Sequence, residues 1–255
     1  MSLPVRWVGS TNKTKGRGGL KPQAVVIHIM DDDIGSVDRW FNTPKGPNNS
    51  MPVSAHYGVS RRGDIHQYVD EMDTAWHAGR VKDSVWPLLQ AQPGVNPNRF
   101  TVGIEHEGTP DMPWPDEMYA ASAMLVADIS QRWSIPLDRL HVVGHGEIYS
   151  KKPYCPGPHC ELDYLIDLAH NVVLSGANAN NIDRHGTVMT TRDLNIRLGA
   201  PSSLAARVRL VGRGTTLHYT GWTSNGESVH GNAHWYRDRD GDYFWAGGTS
   251  APFPS

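Results

Sequence analysis

The chain has 255 residues, of which 38% are hydrophobic and 20% charged, and its formal net charge is -2 at pH 7. This composition is typical of a globular protein with a sizeable core. The near-neutral charge gives no reason to expect nucleic acid or an anionic membrane as a partner. No apolar run approaches the roughly 20 residues that a membrane helix needs.

The first part of the chain alternates strand and helix patterns. A short β-branched run predicts a buried strand in KPQAVVIHIM (residues 21–30), and a short helix follows around SVDRWFN. A hairpin that turns at Arg62-Gly63-Asp64 is predicted next, and then a strand in TVGIEHEG. Apolar residues at helical spacing predict helices in PDEMYAASAMLVADISQRW and ELDYLIDLAHNVVL, with a strand in LHVVGHGE between them. This alternation predicts an α/β domain.

The pattern changes near residue 180. Small and polar residues in SGANANNIDRHG (175–186) predict a linker. Beyond it, short strand-like segments separated by glycines predict an all-β module of about 70 residues. We therefore expect one domain over residues 1–178 and a second over residues 179–255.

Three residues suggest a metal site. His28 and His145 each end an apolar run, and Cys155 follows in a loop. The ends of central strands face the ligand-binding edge of an α/β sheet, and three N/S ligands with an open fourth position describe a catalytic zinc site. Alternatively, the histidines are hydrogen-bonded core residues and Cys155 is a small buried side chain. A local disulfide between Cys155 and Cys160 is a further alternative.

An acidic pair in a predicted strand adds to the metal hypothesis. Glu105 and Glu107 are two residues apart, which places both side chains on one face of a strand. A carboxylate beside a metal site is the usual general base for metal-assisted hydrolysis. The alternative is a salt-bridged strand at the edge of the sheet.

Together, these segments resemble the zinc-dependent N-acetylmuramoyl-L-alanine amidases of the amidase-2 and peptidoglycan-recognition-protein superfamily. The resemblance covers roughly residues 20–175 and depends on the order of the segments VVIHIM, VSAHYGVSRRGDIHQYV, TAWHAG, VGIEHEG and VVGHGEI…CPG. It implies a central mixed β-sheet flanked by helices, one zinc ion, and hydrolysis of the amide between N-acetylmuramic acid and the L-alanine of the stem peptide.

The resemblance also implies roles for individual residues. His28, His145 and Cys155 match the zinc ligands, and Glu105 matches the catalytic glutamate. His77 matches a histidine beside the substrate cleft, where it could stabilise the oxyanion. The family usually has a lysine two residues before the third ligand, where this chain has Pro153, so Lys152 is the candidate for that charge. The alternative function is a peptidoglycan-binding protein without catalysis.

The C-terminal module resembles a bacterial SH3-like barrel in LNIRLGAPSS and HWYRDRDGDYFWAGG. Such modules commonly bind the cell wall, and four aromatic residues could form a groove for sugar or peptide, although we expect at least two of them in the core: Trp222, Trp235, Tyr236 and Trp245. The expected partner is bacterial peptidoglycan, and the expected state is a monomer. The N-terminus has no apolar signal segment. We therefore expect an enzyme that reaches the wall by release or export, as a phage endolysin does, and is otherwise cytoplasmic.

Overall fold

A computed structural model describes residues 3–44, 51–81, 84–178, 182–205 and 207–254. The chain divides into two compact units, Pro4–Asp167 and a second formed mainly by Leu168–Ser255. No helix among these residues is both long and apolar enough to cross a membrane.

The first unit contains a mixed sheet of six strands in the order β1-β5-β4-β7-β3-β8. The β4–β5 pair is antiparallel and the other pairs are parallel. A two-stranded sheet pairs β2 with β6. The strands are β1 Val5–Trp7, β2 Lys13–Thr14, β3 Ala24–Ile29, β4 Tyr57–Val59, β5 Ile65–Gln67, β6 Thr74–Ala75, β7 Thr101–His106 and β8 Val142–Gly144.

Helices of this unit connect the strands, as the predicted alternation requires. Their bounds are α1 Ile34–Trp40, α2 Pro87–Gln90, α3 Asp116–Trp133, α4 His145–Ile148 and α5 Leu162–Asn178, the last of which continues into the second unit. The central mixed sheet with flanking helices is therefore confirmed. The hairpin is also confirmed, because β4 and β5 pair antiparallel and Gly63 adopts a φ of +87° between them, a conformation that glycine allows without strain.

Strands β3 and β7 are adjacent interior strands of the sheet, and nearly all their side chains are buried. One face of β3 carries Ala24 and Val26, which pack in a core cluster with Phe100 and Val143. Helix α3 covers the opposite face of the sheet, where His106 of β7 lies 2.9 Å from the hydroxyl of Ser122. Packing on both faces explains why β3 is an almost continuous apolar run in the sequence.

The second unit contains a six-stranded antiparallel sheet in the order β11-β10-β14-β13-β12-β9. Its strands are β9 Ile182–Met189, β10 Leu194–Arg197, β11 Arg207–Val211, β12 Thr216–Thr223, β13 Trp235–Arg237 and β14 Tyr243–Trp245. The predicted all-β module is confirmed. The described strands form a row with β11 and β9 at its ends, so closure into an SH3-like barrel stays a prediction.

The expectation that at least two of the four aromatic residues of the second unit lie in its core agrees with their burial. Trp235 and Tyr236 are 2% and 1% exposed, which assigns both to the core. Trp222 is also buried and belongs to one core cluster with Tyr236. The half-buried Trp245 packs against this cluster.

The predicted linker over residues 175–186 is wrong at both ends. Helix α5 extends to Asn178, and β9 begins at Ile182; within the predicted linker, only residues 179–181 lie outside the described part of the chain. The strand was missed because β9 lies at the end of the sheet with Asp183, Arg184 and His185 exposed. A strand that is exposed over most of its length lacks the alternating apolar pattern on which sequence prediction depends.

Candidate active site

The register of three parallel strands assembles the candidate site. His28 of β3 lies directly beside Glu105 of β7. Strand β8 pairs with the other side of β3, and His145 follows it as the first residue of α4. Because parallel strands present their carboxyl ends at one edge, residues separated by more than a hundred positions meet there.

His28, His145 and Cys155 form a cluster whose ligand atoms all lie within 4.8 Å of one another. The Nδ1 atoms of His28 and His145 are 3.1 Å apart, and Sγ of Cys155 is 3.8 Å from Nδ1 of His28. A tetrahedral zinc ion separates two ligand nitrogens by roughly 3.3 Å and a nitrogen from a sulfur by roughly 3.5 Å, given bond lengths of about 2.0 and 2.3 Å. The donor set and its spacing therefore fit zinc.

The orientation of both imidazole rings supports this fit. Nε2 of His145 lies 3.4 Å from the carbonyl oxygen of Ala78, and Nε2 of His28 lies 3.0 Å from Nδ1 of His77. Each ring therefore has a partner at Nε2 and directs Nδ1 into the cluster. Burial lowers the pKa of His145 to about 4 and that of His28 well below its usual range, so both rings are neutral and can coordinate a metal at neutral pH.

Cys155 reaches the cluster from a tight loop. The backbone N–H of Ile29 lies 3.5 Å from Sγ, and the N–H of Gly146 donates to the carbonyl of Cys155 at 2.7 Å. A Cβ at Gly146 would lie 2.8 Å from the carbonyl oxygen of Lys152, so this close approach requires glycine. Cys155 and Cys160 are both free, and the alternative of a local disulfide is therefore wrong.

Glu105 has an environment that suits a proton-transfer group. Among the described residues, its Oε2 atom is buried and has no hydrogen-bond partner. Burial raises the pKa of Glu105 to about 8, and the positive charge of Lys152 opposes that rise. A carboxyl group whose pKa lies near neutral pH can both accept and return a proton.

Glu107 does not share this environment. It follows the last residue of β7 and accepts hydrogen bonds from the backbone N–H groups of Ile34 and Arg61. Its carboxylate therefore joins the first residue of helix α1 to the turn between β4 and β5. The expectation that Glu105 and Glu107 lie on one face of the same strand is wrong, because the strand ends at His106.

Lys152 lies near enough to the cluster to influence it. Its positive charge disfavours protonation and so lowers the pKa values of His28, His145, Cys155 and Glu105. The side chain is exposed and lies in the loop before Cys155. An ammonium group at this position can oppose negative charge that develops beside the cluster.

His77 lies behind His28. Its Nδ1 faces Nε2 of His28, on the edge of that ring away from the cluster, and its Nε2 lies 3.1 Å from Oγ1 of Thr101. Only 8% of His77 is exposed. Both ring nitrogens therefore have partners among the described residues, and the role of His77 beside the substrate cleft stays a prediction.

Three buried residues around the site were not singled out from the sequence. Thr101 binds His77, Gly103 leaves room for its ring, and His106 lies 3.0 Å from the carbonyl oxygen of His28 through Nδ1. All three lie on β7. The period of two in this strand, with Thr101, Gly103 and Glu105 on one face, was the available signal.

Comparison with known families identifies the first unit. The family model for N-acetylmuramoyl-L-alanine amidase matches residues 18–158. The chain belongs to this family, and the predicted family is confirmed.

Curated relatives and a solved structure agree with the assignment. AmpD of Haemophilus influenzae, a 1,6-anhydro-N-acetylmuramyl-L-alanine amidase, is 36% identical over 134 residues, which are 49% of this chain and 67% of that protein. N-acetylmuramoyl-L-alanine amidase A of Achromobacter lyticus is 29% identical over 173 residues, 60% of this chain and 86% of that protein. The crystal structure of a Se-Met AmpD derivative covers 66% of this chain and 96% of its own, with a TM-score of 0.56 and 25% identity.

Proposed function

We propose that this protein is a zinc-dependent amidase that hydrolyses the bond between N-acetylmuramic acid and L-alanine in peptidoglycan. The observation that carries the proposal is the His28–His145–Cys155 cluster with Glu105 beside His28. Membership of the amidase family supports the reaction and the peptidoglycan substrate.

The two histidines and Cys155 would hold the metal. Bound zinc supplies Lewis acidity, which lowers the pKa of a water molecule to about 7 and makes it nucleophilic at neutral pH. Burial raises the pKa of the Cys155 thiol to about 12. The thiol therefore releases its proton when it binds the cation, because metal ligation requires the thiolate.

Glu105 and Lys152 would act on the substrate. The Glu105 carboxylate takes a proton from the attacking water and returns it to the departing alanine nitrogen. Lys152 stabilises the negative charge that develops on the carbonyl oxygen, in place of the lysine expected at Pro153. The presence of all three ligand candidates and the acid favours an enzyme over a binding protein without catalysis.

The second unit would bind the polymer. A separate all-β module gains affinity for intact wall because it holds the enzyme at a high local substrate concentration. The AmpD relatives are named for anhydro-muropeptides, so soluble fragments are the competing substrate class. Release of dye from labelled cell walls and hydrolysis of a purified anhydro-muropeptide distinguish the two classes.

A pair of variants tests the assignment. Glu105→Gln should retain one zinc ion per chain and lose hydrolysis by at least ~100-fold, because only the proton-transfer group changes. His145→Ala should lose both zinc and activity, because one ligand of three is gone.

Zinc content by metal analysis and hydrolysis of a muropeptide are the two measurements. Full activity of the Glu105→Gln variant would refute the role of Glu105. Full zinc retention by the His145→Ala variant would refute the ligand set.

A further inference from the structure

A linear series of hydrogen bonds leads away from the ligand cluster into the core. Nε2 of His28 lies 3.0 Å from Nδ1 of His77, and Nε2 of His77 lies 3.1 Å from Oγ1 of Thr101. The Thr101 hydroxyl in turn donates to the carbonyl oxygen of Pro97 at 2.8 Å. The series joins β3 to the loop that carries His77 and to β7.

The last hydrogen bond of the series determines which atom is the donor in each of the others. A hydroxyl has one proton, and that of Thr101 goes to a carbonyl oxygen, which can only accept. Thr101 must therefore accept from Nε2–H of His77, which leaves a lone pair on Nδ1 of His77. His28 must then donate from Nε2, and its Nδ1 presents a lone pair to the cluster.

The position of His77 is itself fixed by its surroundings. Oδ1 of Asn98 accepts from the backbone N–H groups of His77 and Ala78, at 3.2 and 2.7 Å. The imidazole ring lies on Gly103 so closely that a Cβ there would be 2.4 Å from Cγ of His77. Only a glycine in the central strand admits the ring at this place.

We propose that His77 is a positioning residue that holds His28 in its Nε2–H tautomer, with Thr101 fixing the direction and Gly103 providing the space. This inference rests on the proposed zinc function. It replaces the role of oxyanion donor predicted for His77 and leaves that role to Lys152. A partner behind a metal-binding histidine fixes the tautomer and the orientation of its ring.

Matched substitutions at Thr101 test the series. Thr101→Val keeps the shape of the side chain and removes the hydroxyl, whereas Thr101→Ser keeps the hydroxyl. We expect Thr101→Val to weaken zinc binding by up to roughly 10-fold, the lower end of the loss for a direct partner of a metal ligand, because Thr101 acts through His77. Thr101→Ser should bind zinc as wild type does. The measurement is competition with a chromogenic zinc chelator. Equal zinc affinity in the Val and Ser variants would overturn the inference.

A second pair of variants separates positioning from oxyanion stabilisation. The Oδ1 atom of an asparagine can occupy the place of Nδ1 of His77, so His77→Asn should retain much of the zinc affinity that His77→Leu loses. At saturating zinc, His77→Asn should recover more of the wild-type kcat than His77→Leu does, because only the asparagine restores an acceptor for Nε2–H of His28. Equally large losses of kcat in both zinc-loaded variants would overturn the positioning role and indicate that Nε2 of His77 contacts the substrate.

Nitrogen-15 NMR of the chelated wild-type protein tests the inference without any variant. The His28 ring should show a protonated Nε2 and an unprotonated Nδ1. The opposite tautomer would overturn the inference, whatever the stability of the variants. Failure of wild-type protein to bind zinc would refute the proposed function instead, and the tautomer measurement keeps the two outcomes distinct.

Discussion

Glu105 is the residue whose chemistry depends most on its surroundings. A carboxyl group in water has a pKa near 4.5, and burial in the centre of the sheet raises the pKa of this one to about 8. The cost of holding a charge in an apolar environment is the cause. The same burial leaves Oε2 without a partner among the described residues, which is the condition of a group that exchanges a proton with a substrate.

The shift predicts how stability depends on pH in the metal-free protein. The folded state keeps the Glu105 proton between pH 4.5 and 8, where the unfolded state has released it. The free energy of unfolding should therefore fall as the pH rises through this window. Glu105→Gln removes the titration, so its thermal midpoint relative to wild type should rise between about pH 5 and about pH 9.

Thermal unfolding of chelated wild-type and variant protein at both pH values is the measurement. A difference in midpoint that does not change with pH would contradict the raised pKa of Glu105.

Helix α3 ends at a residue whose backbone conformation is unfavourable for a side chain with a Cβ atom. Its C-cap residue, Ser134, has φ 56° and ψ 41°, and its N–H bonds to the carbonyl of Ser130. This left-handed conformation is strained for any residue with a Cβ and relaxed for glycine. Ser134 itself is exposed, so a substitution there changes the backbone conformation more than the packing.

Ser134→Gly should stabilise the first unit by about 1 kcal/mol, because it relieves the left-handed strain. Ser134→Ala is the matched control, since it removes the hydroxyl and keeps the Cβ. The measurement is the thermal midpoint of both variants. An increase with alanine as large as that with glycine would show that the hydroxyl, and not the backbone, is responsible.

At the scale of elements, sequence patterns located most strands and helices and missed those without a buried face. The β3 and β7 strands and helix α3 follow from apolar runs and helical spacing. Strand β9 was taken for a linker because it is exposed along most of its length. The hydrogen bonds that make it a strand come from β12, which lies more than twenty residues further along the chain.

The whole molecule combines an amidase unit with an all-β unit. The related AmpD structure matches over nearly its whole length, which indicates that a unit like the first folds without the second. We therefore expect a chain that ends at Asn178 to hydrolyse a soluble muropeptide at the rate of the full protein. The same truncation should lower activity on insoluble cell walls at least ~10-fold, because it removes the proposed anchor.

Parallel assays on the two substrates are the measurement. Equal loss on both substrates would show that the second unit supports the fold of the first, and undiminished activity on cell walls would contradict its binding role.

The sequence by itself predicted the candidate ligands, the candidate acid and the alternation of strands with helices. His28, His145, Cys155 and Glu105 could be selected because each is a chemically distinctive residue at the end of an apolar run or in its loop. Those features are short patterns along the chain, so they can be recognised from the amino-acid sequence without a structure. The tertiary structure alone decided what surrounds these residues.

The tertiary structure placed His77 behind His28 and set Thr101 and Gly103 against the ring of His77. It also placed the carboxylate of Glu107 between the start of helix α1 and the β4–β5 turn. The physical reason is that hydrogen-bond direction and steric room depend on atoms brought together from distant parts of the chain, and no spacing along the sequence encodes them.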